Sequence, residues 1–321
     1  MDRREAIGLG LGCALLPRVA WGQEHETGYL PGDSQEFIGL WPGTPPGGED
    51  VKLDLKVTDA VQPDGFHVRA VSQIQQPGFF VYRPIKPTGL GLLIIPGGGY
   101  ASEGGDRGGR EIAQYFASQG IISFVLRYRL PAEGWKHRET VPLQDAQRAM
   151  RLIRAGEYGA GRLGVIGFSA GGHLSATLAT RSGMPVYTRV SPADQLDAKP
   201  AIAAHMYPVI TMGEGAHQGS RDKLLGENPS PEAVAAWSLE KHVTADTAPS
   251  FVCLATDDDV VPPAPNGIAF YNRLQEAKVP SQLNVFEKGG HGFSLHWAQG
   301  KPCGAWPQLF LAWAATHGFR V

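Results

Sequence analysis

The sequence predicts an α/β protein of three layers, with a mostly parallel central sheet and antiparallel strands at its N-terminal edge. Three observations carry this. Segments that are apolar throughout alternate with segments of helical period, the pattern of a parallel sheet covered on both faces. The earliest strands instead alternate apolar and polar residues, as half-exposed antiparallel strands do. The composition is globular: of 321 residues, 42% are hydrophobic and 19% charged, too apolar for a disordered chain.

Taken in order, residues 51–58, 66–74 and 79–83 alternate in polarity and read as the antiparallel edge. Leu90–Ile95 is a continuous apolar strand. Residues 109–119 place Ile112, Tyr115 and Phe116 at helical spacing, and residues 121–126 return to a buried strand. Residues 141–154 are helical through Leu143, Ala146, Met150 and Ile153; residues 163–168 form a strand, and 170–180 a helix of small residues. Residues 201–209 and 251–255 are further strands, 265–277 a helix, 281–287 a last strand and 305–317 a last helix. No internal repeat or second core is visible, so residues 51–321 read as one domain. Residues 23–50, with the run Trp41-Pro42-Gly43-Thr44-Pro45-Pro46-Gly47-Gly48, read as an extended arm lying on it. Residues 211–247, with one helix near 233–237, read as an insertion over the strand ends and a candidate lid. The many Gly (42) and Pro (25) residues punctuate the elements with tight turns.

Residues 1–22 read as an export leader. Arg3 and Arg4 precede a short Gly-rich apolar stretch, and Ala20-Trp21-Gly22 offers a small-x-small cleavage site before Gln23. The paired arginines suggest the twin-arginine route, and with it a periplasmic or secreted protein. The 29 Lys and Arg against 31 Asp and Glu leave a net charge of −2. That balance argues against a nucleic-acid partner, which calls for a basic stripe. The body has no apolar run near the ~18 residues a membrane span needs. Beyond the leader stand Cys253 and Cys303, without metal-type Cys/His spacing. Export would permit a disulfide, but Cys253 lies in the apolar run Phe251-Val252-Cys253-Leu254 and reads as a buried small hydrophobe.

The chemistry begins at Gly167-Phe168-Ser169-Ala170-Gly171-Gly172, between an apolar strand and a helix. A serine on a sharp strand-to-helix turn is held in a strained conformation with its hydroxyl exposed, and side chains two residues to either side would collide. A serine needs a base, and the base an orienting carboxylate, here expected in the order Ser, acid, His, each after a strand. His291, in Gly289-Gly290-His291-Gly292, and the run Asp257-Asp258-Asp259 stand at those places. In the pattern Asp-x-Val-Val-Pro the acid lies two residues before the first valine, which selects Asp258; Asp257 and Asp259 would then be turn or solvent-facing carboxylates. Developing negative charge needs backbone donors. Ala170 at the helix start supplies one, and Gly98 or Gly99 in Pro96-Gly97-Gly98-Gly99-Tyr100 the other. That glycine run lacks the Lys-Ser/Thr sequel of a phosphate loop.

Together these residues resemble the α/β-hydrolase superfamily, in its bacterial acetyl-xylan-esterase-like and feruloyl-esterase-like branch. The resemblance runs from about Leu40 to Leu295. It includes Leu40-Trp41-Pro42-Gly43, Leu126-Arg127-Tyr128-Arg129-Leu130, Pro142-Leu143-Gln144-Asp145-Ala146-Gln147-Arg148-Ala149 and Asp258-Asp259-Val260-Val261-Pro262, besides the motifs above. Pro96 stands where the common esterase loop has His. The resemblance implies Ser169, Asp258 and His291 as a catalytic triad, oxyanion donors at Gly98 or Gly99 and Ala170, and no cofactor. It also implies a small-molecule or polysaccharide ester as substrate. A serine peptidase of the same fold and a non-catalytic binding module are the alternatives; such peptidases usually carry an extra propeller or a large lid, for which this sequence reads as having no room, and such modules usually lack part of the triad. His173 reads as a packing residue rather than a second base. Arg127 and Tyr128 read as loop ties, Asp145 and Arg148 as a helix salt bridge, and His296 and Trp297 as core or the wall of a sugar site.

Overall fold

A computed structural model describes residues 33–321 except residue 157. The leader reading of residues 1–22 lies outside the described residues. Eleven strands and seven helices follow one another here. Strands β1 (Phe37–Gly39), β2 (Lys56–Val61), β3 (His67–Ser72) and β4 (Gly78–Tyr82) come first. Then follow β5 (Leu90–Ile95), β6 (Glu103–Gly104), α1 (Glu111–Ser118), β7 (Ile122–Arg127), α2 (Val141–Ala155), β8 (Arg162–Phe168) and α3 (Ala170–Arg181). The chain continues through β9 (Ala203–Met206), α4 (Gln218–Leu225), α5 (Pro231–Trp237), β10 (Ser250–Ala255), α6 (Ala269–Glu276), β11 (Ser281–Phe286) and α7 (Trp306–Thr316).

The main sheet has the order β1-β4-β7-β5-β8-β9-β10-β11. Strands from β7 to β11 pair in parallel, while β4 runs antiparallel to β7 and β1 antiparallel to β4. The central strands are buried on both faces, and alternate residues serve opposite layers. Leu92 and Ile94 of β5 pack with Ile112 and Phe116 of α1 and Phe310 of α7. Leu93 and Ile95 pack instead with Leu143 and Met150 of α2 and Leu174 of α3. Each such side chain, fully buried, stabilises the fold by roughly 1.5–3 kcal/mol. An apolar-throughout strand is therefore the signature of two covered faces, and the three-layer prediction follows from it.

The edge differs from the sequence reading in one respect. Of the early alternating strands only β4 joins the main sheet. Strands β2 and β3 pair with each other and with β6 as a separate three-stranded sheet. Period-two alternation reports that one face is wet, not which neighbour lies alongside. Residues 51–55 lie outside β2; Gln75 holds them through its side chain, accepting from Leu53 N at 2.7 Å and donating to Val51 O at 3.0 Å. The segment read as an arm contributes β1.

The arm is also keyed to α2. Trp41 Nε1 donates to Asp145 at 2.7 Å, Arg148 Nε donates to Leu40 O at 2.9 Å, and Arg129 donates to Pro46 O at 2.8 Å. The expected Asp145–Arg148 pair does not form. Asp145 instead binds Arg129 at 2.8 Å with both side chains 0% exposed, and Arg148 binds Asp194 at 2.7 Å. The two charges sit three residues apart on one helix, but each is drawn into the protein by a partner from another segment. Arg127 stacks its guanidinium over Phe80 and Phe37 at the sheet edge.

Candidate active site

The strand order reverses between β5 and β8: β5 leads to β7 on one side, and β8 starts the march to β11 on the other. In open α/β sheets the crevice at such a switch point, beyond the carboxyl ends of the strands, is where ligands bind. The loops after β5, β8, β10 and β11 all emerge at that end and carry the Gly97–Gly99 run, Ser169, Asp258 and His291.

Ser169 has φ +56° and ψ −116°, a backbone conformation rarely adopted by a residue with a side chain. Its N–H donates to Met206 O at 3.0 Å, and its carbonyl accepts from Val209 N at 3.1 Å, so β9 and the following loop pin the turn from the side. The flanking glycines are sterically required. A Cβ on Gly167 would stand 2.0 Å from Gly171 O, and one on Gly171 2.2 Å from Ile95 O. Helix α3 then runs from Ala170, with its first backbone N–H groups facing the crevice end.

His291 Nε2 lies 2.8 Å from Ser169 Oγ and its Nδ1 lies 2.7 Å from Asp258 Oδ2. The second oxygen of Asp258 accepts from Val260 N at 3.0 Å and Val261 N at 2.8 Å. This turn is the physical content of the Asp-x-Val-Val-Pro pattern: the carboxylate is fixed by the N–H groups of the two valines. The Asp258 side chain is 1% exposed and that of His291 13%. A carboxylate at Nδ1 keeps the proton there and leaves Nε2 as the acceptor for a serine hydroxyl.

The neighbouring Asp257 does more than face solvent. One of its oxygens accepts from Gly289 N at 2.9 Å and Gly290 N at 2.8 Å, so adjacent aspartates hold the loop and the imidazole of His291 separately. The Gly290 bond, with that from Gly289, draws the Asp257 carboxyl below its ordinary range. Tyr207, missed in the sequence, walls the imidazole with its ring 5.0 Å from that of His291. Its own φ of +36° is strained, and its N–H is tied to Cys253 O at 2.6 Å. Its signal is a Tyr at the end of an apolar strand, too common to single out.

The glycine run after β5 bends sharply. Gly98 has φ +130°, and a Cβ there would lie 2.0 Å from Ser102 O. Its carbonyl accepts from Ala101 N and Ser102 N. Among the described residues no acceptor takes the N–H of Gly98, Gly99 or Ala170. Tyr128 steadies the loop by donating from its hydroxyl to Pro96 O at 3.1 Å, and its N–H donates to the buried Glu103. Burial pushes the Glu103 carboxyl well up from its ordinary value.

His173 is a linking residue. Tyr100 of the glycine loop meets its Nδ1 at 2.8 Å, and its Nε2 lies 2.9 Å from Trp237 O. Complete burial lowers its pKa to about 4, so the ring is neutral, donating to the carbonyl and accepting from the phenol. It ties the β5 loop, α3 and the 211–247 segment together. His296 stacks on Phe66 at 4.0 Å and meets Asp64 at 2.9 Å, while Arg107 lies 5.0 Å over Trp297. The first two contacts fasten the β2–β3 turn to the loop after β11, and the third fastens the turn ahead of α1 to the same loop. Cys253 and Cys303 are both buried and unpaired. Among the described residues no three His, Cys, Asp or Glu side chains group as metal ligands would.

A serine on a strained strand-to-helix turn, at the switch point of this sheet order and within reach of a carboxylate-held histidine, defines the α/β-hydrolase fold class. Within that class the chain belongs to the BD-FAE family, whose profile matches residues 82–274. It is 36% identical over 213 residues to endo-1,4-beta-xylanase B of Butyrivibrio fibrisolvens, covering 64% of this chain and 32% of that protein. It is 31% identical over 223 residues to the acetylxylan esterase of Xylanibacter ruminicola, covering 67% of this chain and 43% of the relative. The chain thus spans a third to under half the length of these curated relatives. Among solved structures it resembles an acetyl ester-xyloside bifunctional hydrolase from Caldicellulosiruptor lactoaceticus, at 32% identity and a TM-score of 0.72 over 90% of this chain and 98% of that one.

Proposed function

We propose that this chain is a serine carboxylic ester hydrolase that deacetylates a carbohydrate of the acetyl-xylan type through an acyl-enzyme. The observation that carries the reading is the unbroken hydrogen-bond line Ser169–His291–Asp258, with bonds of 2.8 and 2.7 Å. Ser169 Oγ attacks the ester carbonyl carbon while its proton passes to His291 Nε2. Asp258 holds the imidazolium that forms. The N–H groups of Ala170 and of Gly98 or Gly99 receive the oxyanion; one such donor is typically worth about 3–4 kcal/mol at the barrier. The C–O bond to the alcohol then breaks, and the alcohol leaves with the proton from His291. Water repeats the attack on the acyl-serine, giving up its proton to His291, and the carboxylic acid departs from a restored Ser169.

The acetylated-carbohydrate substrate class is supported by the relatives that act on xylan and by the acetyl ester activity named for the structural neighbour. The periplasmic or secreted location rests on residues 1–22 and is read out by N-terminal sequencing of the mature protein, expected to begin at Gln23. The test of the chemistry is hydrolysis of 4-nitrophenyl acetate and of acetylated xylo-oligosaccharides by the wild type and by Ser169→Ala. Turnover should fall by about 10⁴-fold or more in the variant. A variant that keeps near-wild-type turnover removes Ser169 as nucleophile.

A further inference from the structure

The segment 211–247 brings a second histidine to the crevice, and neither the triad nor the oxyanion donors account for it. His217 precedes α4, and its Nδ1 accepts from Ser220 N at 3.3 Å while facing Ser220 Oγ at 2.8 Å. An acceptor role at Nδ1 puts the ring proton on Nε2. Among the described residues that Nε2–H has no hydrogen-bond partner, although the ring is half-buried. The ring hangs over the glycine loop: its Cε1 lies 3.8 Å from where a Cβ would stand on Gly99, and Ser220 Oγ lies 3.9 Å from the same point. Burial lowers the affinity of the ring for a further proton, and His291 lowers it more, with Asp258 opposing. His217 therefore lies within electrostatic reach of the triad as a neutral donor.

Helix α4 also borders a cleft on the other side of the glycine loop's Tyr100, which His217 and the Ser169–His291–Asp258 line do not border. Lys223 of α4 lines this cleft of about 390 Å³ with Tyr100 and Ala101 of the glycine loop, Ser72, Leu130 and Glu133. A sugar ester differs from a simple aryl ester in carrying a hydroxyl next to the esterified carbon. That oxygen is an acceptor within a few bonds of the carbonyl held at Ser169. We propose that His217 is a positioning residue that donates from Nε2 to a hydroxyl of the sugar ring bearing the scissile ester, and so sets the preference for acetylated carbohydrate over simple esters. This rests on the ester-hydrolase reading above and deepens it.

The two ring nitrogens can be separated by substitution. His217→Asn keeps an acceptor where Nδ1 stood, a good helix-capping group, and loses the Nε2 donor. His217→Gln loses the cap and returns an amide N–H near the Nε2 position. The measurement is kcat and KM on acetylated xylobiose and on 4-nitrophenyl acetate, with thermal midpoints for each full-length variant. One hydrogen bond between neutral groups is worth about five- to tenfold. In His217→Asn the ratio of kcat/KM for the sugar ester over the aryl ester should fall by that factor, mainly through KM, at a near-wild-type melting temperature. His217→Gln should recover most of the ratio while melting lower. Any other ordering of the two ratios overturns the proposal. So does an equal loss on both esters, which would make His217 a support of the oxyanion loop. A wild-type enzyme that cleaves only the aryl ester overturns the carbohydrate reading, and this proposal with it, before any substitution is made.

Discussion

Acid should unlatch the site through His173. Its pKa is lowered to about 4 by complete burial, against 6.5 for the free side chain. The unfolded chain therefore takes up a proton between pH 6.5 and 4 that the folded chain refuses. Stability rises with pH wherever the unfolded state binds more protons, so this contribution is complete above pH 6.5 and is lost as pH falls toward 4, below which it changes no further. The gap of about 2.5 units, at 1.36 kcal/mol per unit, amounts to about 3 kcal/mol. That is a large part of the 5–15 kcal/mol typical of a folded domain. His205, buried between Ser175 and Ser250 and lowered to about 3, adds to the slope in the same direction. The perturbation is His173→Asn, which keeps an acceptor for the Tyr100 hydroxyl and cannot titrate. The assay is urea unfolding at a series of pH values from 7 to 4. The variant should be less stable at pH 7, because Trp237 O loses a donor, by about 1–3 kcal/mol. Its stability should then fall over the acid range by about 3 kcal/mol less than that of the wild type. Parallel stability curves for the two proteins would refute the neutral-histidine latch.

Further substitutions test the site and its frame. Asp258→Asn should lower kcat by about 10⁴-fold, because an amide at Nδ1 favours the wrong imidazole tautomer. Asp257→Asn keeps an acceptor for the Gly289 and Gly290 N–H groups and should cost far less; steady-state kinetics on 4-nitrophenyl acetate that rank the two the other way would move the acid role to Asp257. Arg129→Met leaves Asp145 buried without its guanidinium and should cost about 3–5 kcal/mol in unfolding free energy, much of it recovered in Arg129→Met/Asp145→Leu. Chemical denaturation of the single and double variants measures this, and a single variant within 1 kcal/mol of wild type would show that the ion pair is dispensable.

The grouping of Ser169, His291 and Asp258 is legible because each member is forced by local sterics or local hydrogen bonding. The strained turn at Ser169 tolerates no side chain at Gly167 or Gly171, so the motif is written in the glycines themselves. The carboxylate of Asp258 is held by the N–H groups of Val260 and Val261, so its register shows in four consecutive residues. What stayed hidden depends on partners distant in the chain. Asp257 anchors a loop 32 residues further on, and Asp145 and Arg148 turn away from each other toward Arg129 and Asp194. Helix α4 escaped because its polar, glycine-containing sequence Gln218-Gly219-Ser220-Arg221-Asp222-Lys223 has no apolar stripe to read. The separate sheet of β2, β3 and β6 escaped because pairing is a tertiary choice that alternation cannot express.

The recognisable family segment, residues 82–274, is not what holds itself together. Cut there, Arg129 and Arg148 would lose their main-chain acceptors on Pro46 and Leu40, Asp145 the indole of Trp41, and β4 most of its length. The cut would also remove His291 and the α7 layer. A fragment designed from the shared core alone would carry desolvated charges and an exposed sheet edge, and aggregation is its expected fate. Swapping this segment between longer enzymes therefore calls for a junction upstream of Asp33, so that the extended arm travels with the site it supports.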